Sequence, residues 1–156
     1  MIKKAVLFAL LLTSLNAELF EQGSTNIGIT LGTGTSTYGH NTNYYTIVGL
    51  SGGVFVVDGL NIGLGYRAWF GASPSINEVM VPITYYIPLK VVRPYVGPFY
   101  QHTFIDGADD YDSYGYRLGA AFYASSRTFL ALGFVHEFYS TGGDNIYPEV
   151  VFGASF

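Results

Sequence analysis

From Gly23 onward, apolar side chains recur at every second position, and Gly, Asn, Asp and Ser punctuate the runs. That period predicts strands rather than helices. In Ile27–Gly32 the large apolar residues alternate with small or polar ones. Tyr44–Val57 continues the pattern, with Val48, Leu50, Val54 and Val56 on one face. Asp58-Gly59 is a two-residue hairpin signal, and Leu60–Phe70 follows it. Further runs span Glu78–Pro88, Pro94–Phe104, Ser113–Ala124, Phe129–Phe138 and Ile146–Phe156. The facing of Pro94–Phe104 stays open. Most of these eight runs are near the ~9–11 residues that a tilted strand needs to cross a bilayer. Longer connections (35–43, 71–77, 105–112, 139–145) alternate with tight turns (58–59, 89–92, 125–127). The pattern predicts an all-β fold, an eight-stranded antiparallel up-and-down transmembrane β-barrel with short periplasmic turns, longer outer loops and both termini periplasmic.

Period alone does not say which face meets water. Arg67, Arg117, Glu78, Glu137 and Glu149 fall on the small, polar face, whereas the apolar faces of the same runs carry no charge. A water-exposed face without Lys, Arg, Asp or Glu is foreign to soluble proteins, and lipid demands it. The five charges are therefore expected inside the barrel, paired or hydrogen-bonded because isolated charges are costly away from bulk water. Tyr44, Tyr66, Tyr85, Tyr114 and Phe156 stand near run ends, where aromatic girdles belong. Pro82, Pro98 and Pro148 lie inside runs, and rim bulges are the expected accommodation.

Composition agrees. Only 12% of residues are charged and 17% are aromatic. The absence of cysteine excludes disulfides, thiolate metal sites and a lipidated N-terminal cysteine. Met1-Ile2-Lys3-Lys4, the apolar run Ala5–Leu12 and the small, polar exit to Ala17 have the layout of a secretory signal peptide. The expected domains are a signal peptide over 1–17 and an outer-membrane β-barrel domain over 18–156. Removing Lys3 and Lys4 takes the net charge from −4 to −6, so the chain offers no basic footprint for nucleic acid.

The last residues, Val150-Val151-Phe152-Gly153-Ala154-Ser155-Phe156, resemble the C-terminal signal recognised by the outer-membrane barrel assembly machinery, with Phe152 and Phe156 as its aromatic positions. Pro94-Tyr95-Val96-Gly97, Gly63-Leu64-Gly65-Tyr66-Arg67 and Tyr114-Gly115-Tyr116-Arg117-Leu118-Gly119 are similar to strand motifs of small OmpA-type and OmpW-type barrels. That resemblance implies a Gram-negative outer-membrane location, reached by export through the periplasm. It also implies contact with outer-membrane lipid and lipopolysaccharide. An OmpW-type barrel would need a lateral opening, which Pro98 or Pro148 could mark.

Candidate chemistry is sparse, and no cofactor is expected. Asp106, Asp109, Asp110, Asp112 and Asp144 cluster in outer loops, but their spacing is not that of a calcium loop. His40, His102 and His136 lack a metal-binding spacing. Small lipid A deacylase barrels place a serine two residues after a histidine; here that position is Phe138, and His136 and Glu149 fall on opposite faces. Gly32-Thr33-Gly34 has no lysine after it and is no phosphate loop. The expected role is structural or surface-interacting. Tyr38, His40, Asn41, Asp109, Asp110 and Tyr111 are the outer-loop residues expected to touch a surface or host ligand. A small pore or hydrophobic-compound conduit is the second reading, and a lipid A-modifying enzyme the third.

Overall fold

A computed structural model describes residues 19–38, 41–71 and 74–156. The strands are β1 (Thr25–Tyr38), β2 (Asn41–Val57), β3 (Leu60–Phe70), β4 (Ile76–Tyr86), β5 (Val92–Ile105), β6 (Tyr111–Tyr123), β7 (Thr128–Tyr139) and β8 (Asp144–Ser155). Each pairs antiparallel with the next, and β8 pairs with β1 to close the barrel. Closure leaves every strand with two neighbours, which is how a sheet avoids open edges in lipid. No helix among the described residues is long and apolar enough to cross a membrane.

The two-residue turn at Asp58-Gly59 depends on Gly59, whose φ of +79° is open to glycine at little cost. A bulge between Phe55 and Val57 leads the chain into it. Strands at the opposite end are longer than the apolar runs suggest. β1 and β2 rise through most of the expected 35–43 loop, and β6 begins at Tyr111. These extensions carry charge on the outer face: Asp112 faces outward opposite His102, and Asp144 opposite Phe138. The uncharged outer face thus holds for the apolar runs and ends where the strands rise past them.

Facing follows the alternation. Ile29, Leu50, Leu64, Val96, Leu118 and Phe152 point outward and are exposed, whereas Phe55, Arg67, Glu78, Gln101, Phe129 and Glu149 point inward and are buried. In β5 the inward set is Tyr95, Gly97, Phe99, Gln101 and Thr103, which resolves the run the pattern left open. The prolines are accommodated without bulges. Rungs are missing between β3 and β4 beside Pro82 and between β4 and β5 beside Pro98, yet the register is the same on both sides of each gap. A missing N–H deletes a hydrogen bond but does not require an inserted residue.

Below the strands, Leu19–Gly23 turns under the barrel and sends Phe20 up into it. Phe20 is 1% exposed and has φ +70°. Gly59 donates its N–H to the Phe20 carbonyl (2.8 Å), and Gln22 donates its N–H to Asp58 Oδ1 (2.8 Å).

Candidate functional site

The barrel interior is layered, and each layer follows from which inward residues the register brings level. At the end of the Asp58-Gly59 turn Phe20 meets Phe55 edge-on (5.6 Å), Tyr86 (4.7 Å) and Phe129 (5.2 Å), with the Arg93 guanidinium 4.8 Å above its ring. Tyr95, Ala121, Ala131 and Val151 complete this apolar layer. Its rings fit because glycines face them: a side chain at Gly153 would meet Phe129, and one at Gly119 or Gly133 would meet Tyr95. Residues 19–23 do not alternate, so the sequence pattern gave no sign of Phe20.

Above that layer Arg117 on β6 reaches across the lumen to Glu149 on β8. Asn61 donates to Asn26 (2.9 Å), and a cavity of about 30 Å³ beside Arg117, Asn26, Asn61 and Thr84 has room for a single water. Higher still, Arg67 lies 2.7 Å from Glu78, close enough for an ion pair although angled off a linear hydrogen bond. Arg67 also donates to the Tyr147 hydroxyl (3.0 Å) and to Gln101. Gln101 in turn donates to Glu137 (2.9 Å), which also accepts from the Ser113 hydroxyl (2.5 Å).

All five charges expected inside are inward, and they form two separate groups. The acidic surplus is Glu137, which lacks its own cation and is held by Gln101 and Ser113. Gln101, Ser113 and Tyr147 were missed as partners. Gln101 was hidden by the unresolved facing of β5; Ser113 and Tyr147 could have been read from the same alternation.

The outer-loop candidates are dispersed. Asp109 and Asp110 are exposed between β5 and β6, and Asp110 accepts the Ile105 N–H (3.1 Å). Tyr111 is a correction. It belongs to β6, faces the lumen and packs edge-on against Tyr139 at 5.5 Å, because the strand continues past the apolar run. Tyr38 and Asn41 belong to β1 and β2 rather than to a loop, and His40 lies outside the described residues. Phe152 and Phe156 both point outward.

Outward at the upper rim, His102 Nδ1 lies 2.7 Å from Asp112, whose carboxylate also accepts from Tyr100 (2.6 Å). His136 Nε2 lies 2.8 Å from Asp144, and its Nδ1 lies 2.9 Å from the Tyr116 hydroxyl. Among the described residues no group of three or more His, Asp or Glu side chains is placed to hold a metal. Ser140 accepts the Asp112 N–H (3.2 Å), tying β6 to the loop after β7. Glu149 points inward and is committed to Arg117, whereas His136 is on the outer face, so these groups assemble no hydroxyl relay.

No family model matches the chain, and no curated protein matches it in sequence. Its fold is similar to the N-terminal β-barrel domain of Pseudomonas aeruginosa OprF, with a TM-score of 0.71 at 17% identity, over 86% of this chain and 98% of that one. It is also similar to Neisserial surface protein A (TM-score 0.57, 14% identity, 85% and 93% of the two chains). A third likeness is to Ail, the attachment invasion locus protein of Yersinia pestis (TM-score 0.50, 10% identity, 86% and 98%). The shared property is the fold: this chain has the architecture of small eight-stranded outer-membrane barrels.

Proposed function

We propose that the chain is an integral outer-membrane barrel, exported through the periplasm, with a structural or surface-interaction role and an interior closed by a plug of its own side chains. One observation carries this reading. The inward residues meet across the lumen at three heights, in the Phe20 layer, at Arg117–Glu149 and in the Arg67–Glu78–Gln101–Glu137 group. An eight-stranded barrel is just wide enough for side chains to fill, and these do so in pairs, so the charges fasten strands together. Outward, Ile29, Leu31, Leu50, Leu64, Leu118 and Phe152 are exposed in a continuous apolar belt, which lipid would cover. The commitment of Glu149 to Arg117 and the dispersal of the outer-rim groups favour a non-enzymatic role. Any partner would be met at the outer end.

The test joins location and conduction. The protein is expected in the outer-membrane fraction, with a gel mobility that shifts on boiling, and to give no stable single-channel steps in planar bilayers. Recovery in the soluble fraction would sink the membrane assignment, and reproducible steps from the wild-type protein would sink the closed interior.

A further inference from the structure

Asp-Gly occurs twice in the chain, at Asp58-Gly59 and at Asp106-Gly107, and the barrel holds the two pairs differently. In this dipeptide the aspartyl carboxyl is open to attack by the next backbone nitrogen, because glycine has no Cβ to crowd that nitrogen. Attack requires a carboxyl without partners and a backbone N–H that no acceptor holds. It also requires a turn loose enough to bring one onto the other.

The first pair meets none of these conditions. Asp58 Oδ1 accepts the Gln22 N–H (2.8 Å), and Gly59 donates its own N–H to the Phe20 carbonyl (2.8 Å). The Gly59 carbonyl accepts the Tyr86 N–H (2.7 Å), so the turn is clamped between Phe20 and the end of β4. A Cβ at Gly59 would stand 2.4 Å from the Tyr86 carbonyl oxygen, which shows how closely the two are packed.

The second pair meets all of them. Asp106 and Gly107 are exposed in the turn after β5. Asp106 donates its N–H to the Ser75 carbonyl (3.0 Å), and Ala108 donates to the Ile105 carbonyl (3.3 Å). The Gly107 N–H takes part in neither bond. Among the described residues, neither that N–H nor the Asp106 carboxylate has a partner. A Cβ at Gly107 would meet nothing within 4 Å, so no side chain packs over the turn. Exposed backbone bonds with few packed neighbours open at low free energy.

We infer that Asp106 is a site of spontaneous backbone isomerisation, and that the folded barrel protects Asp58 from the same reaction. The Gly107 nitrogen bonds to Cγ of the protonated Asp106 carboxyl. The carboxyl hydroxyl leaves with the nitrogen's proton as water, and a cyclic succinimide remains. Water then adds to one of the two ring carbonyls. Opening at the former side-chain carbonyl restores aspartate. Opening at the former main-chain carbonyl gives isoaspartate, with the chain routed through Cβ and a free carboxylate on Cα. The composition is unchanged, and no oxidant or cofactor is consumed. The turn gains one methylene in its backbone inside the loop that Asp110 closes on the Ile105 N–H (3.1 Å). The outer connection carrying Asp109 and Asp110 therefore changes shape with age.

The experiment incubates the full barrel, refolded in detergent micelles, at physiological temperature and neutral pH. Isoaspartate is then mapped by mass spectrometry with electron-transfer fragmentation, which separates the two isomers. It is expected to accumulate at residue 106 at least about tenfold faster than at residue 58. In urea without detergent both turns are released, and the two sites should react within about twofold of each other. Asp106→Glu would need a larger ring; it should abolish the product at residue 106 while the barrel keeps its gel-mobility shift on boiling. No isoaspartate at residue 106 in the folded barrel, or a product there that survives Asp106→Glu, would overturn the site. Accumulation at residue 58 as fast as at 106 in the folded barrel would overturn the protection. So would a tenfold difference that persists in urea, since it would belong to the neighbouring sequence rather than to the fold.

Discussion

Phe20 shows how much one residue outside the strands can carry. Its ring is 1% exposed, is surrounded by Phe55, Tyr86, Tyr123 and Phe129, and has the Arg93 guanidinium over its face. Its backbone sits at φ +70°, a conformation that non-glycine residues adopt at a cost. The burial offsets that cost. Truncating a buried phenylalanine loses transfer energy and leaves a cavity, together about 3–5 kcal/mol. Phe20→Ala is expected to lower the urea midpoint of the refolded barrel by a corresponding amount while the barrel still forms, because the ladders of β1 to β8 are untouched. A midpoint within error of the wild type would show that the ring is a passenger. Nothing in the sequence marks this residue, since a residue that plugs a lumen from below obeys no strand period. The five interior charges were legible for the opposite reason. Each lies on an alternating run, where a charge among small residues has only one favourable direction to point.

At the scale of elements, the eight runs were readable and their ends were not. Alternation reports where a strand is lined by apolar side chains, and the β6 backbone pairs on past that point to Tyr111. Aspartate and tyrosine there read as loop residues, yet Asp112 is bonded to His102 and Tyr100 on the outer face, and Tyr111 turns inward. The prolines were legible as irregularities but not as the kind they are. Pro82 and Pro98 each cost rungs on one side only, toward the neighbour that the missing donor faces. What holds the elements together beyond the ladders is reach across the lumen. Arg117 and Glu149 stand on β6 and β8, with β7 between them, so their pair fastens strands that share no backbone bonds. Removing one partner strands the other as a buried, unpaired charge, at about 3–5 kcal/mol. Replacing both with apolar residues of similar volume is far milder. Arg117→Met alone should therefore destabilise strongly, and Arg117→Met with Glu149→Leu should recover most of the loss in urea unfolding. A double variant as unstable as the single one would mean that the pair matters through its shape rather than its charge.

At the scale of the whole molecule, stability and closure separate. The apolar layer at the bottom and the charged groups above it block the same lumen at different heights, so emptying one leaves the other in place. Phe20→Ala should remain non-conducting, because the Arg117–Glu149 pair and the Arg67 group still span the lumen above the vacated space. Conversely, Arg117→Ala with Glu149→Ala leaves the lumen stopped by Phe20 below and by Arg67, Glu78, Gln101 and Glu137 above. Steps in planar bilayers are expected only when layers are removed together, as in Phe20→Ala combined with Arg117→Ala, Glu149→Ala and Arg67→Ala. Such a barrel would still have its ladders to hold it, and Glu78 and Glu137 left in the lumen would favour cations. The order in which conduction appears is the discriminating result. If Phe20→Ala alone conducts, the charged groups are not a seal but the lining of a path, and the residue beneath them is its gate.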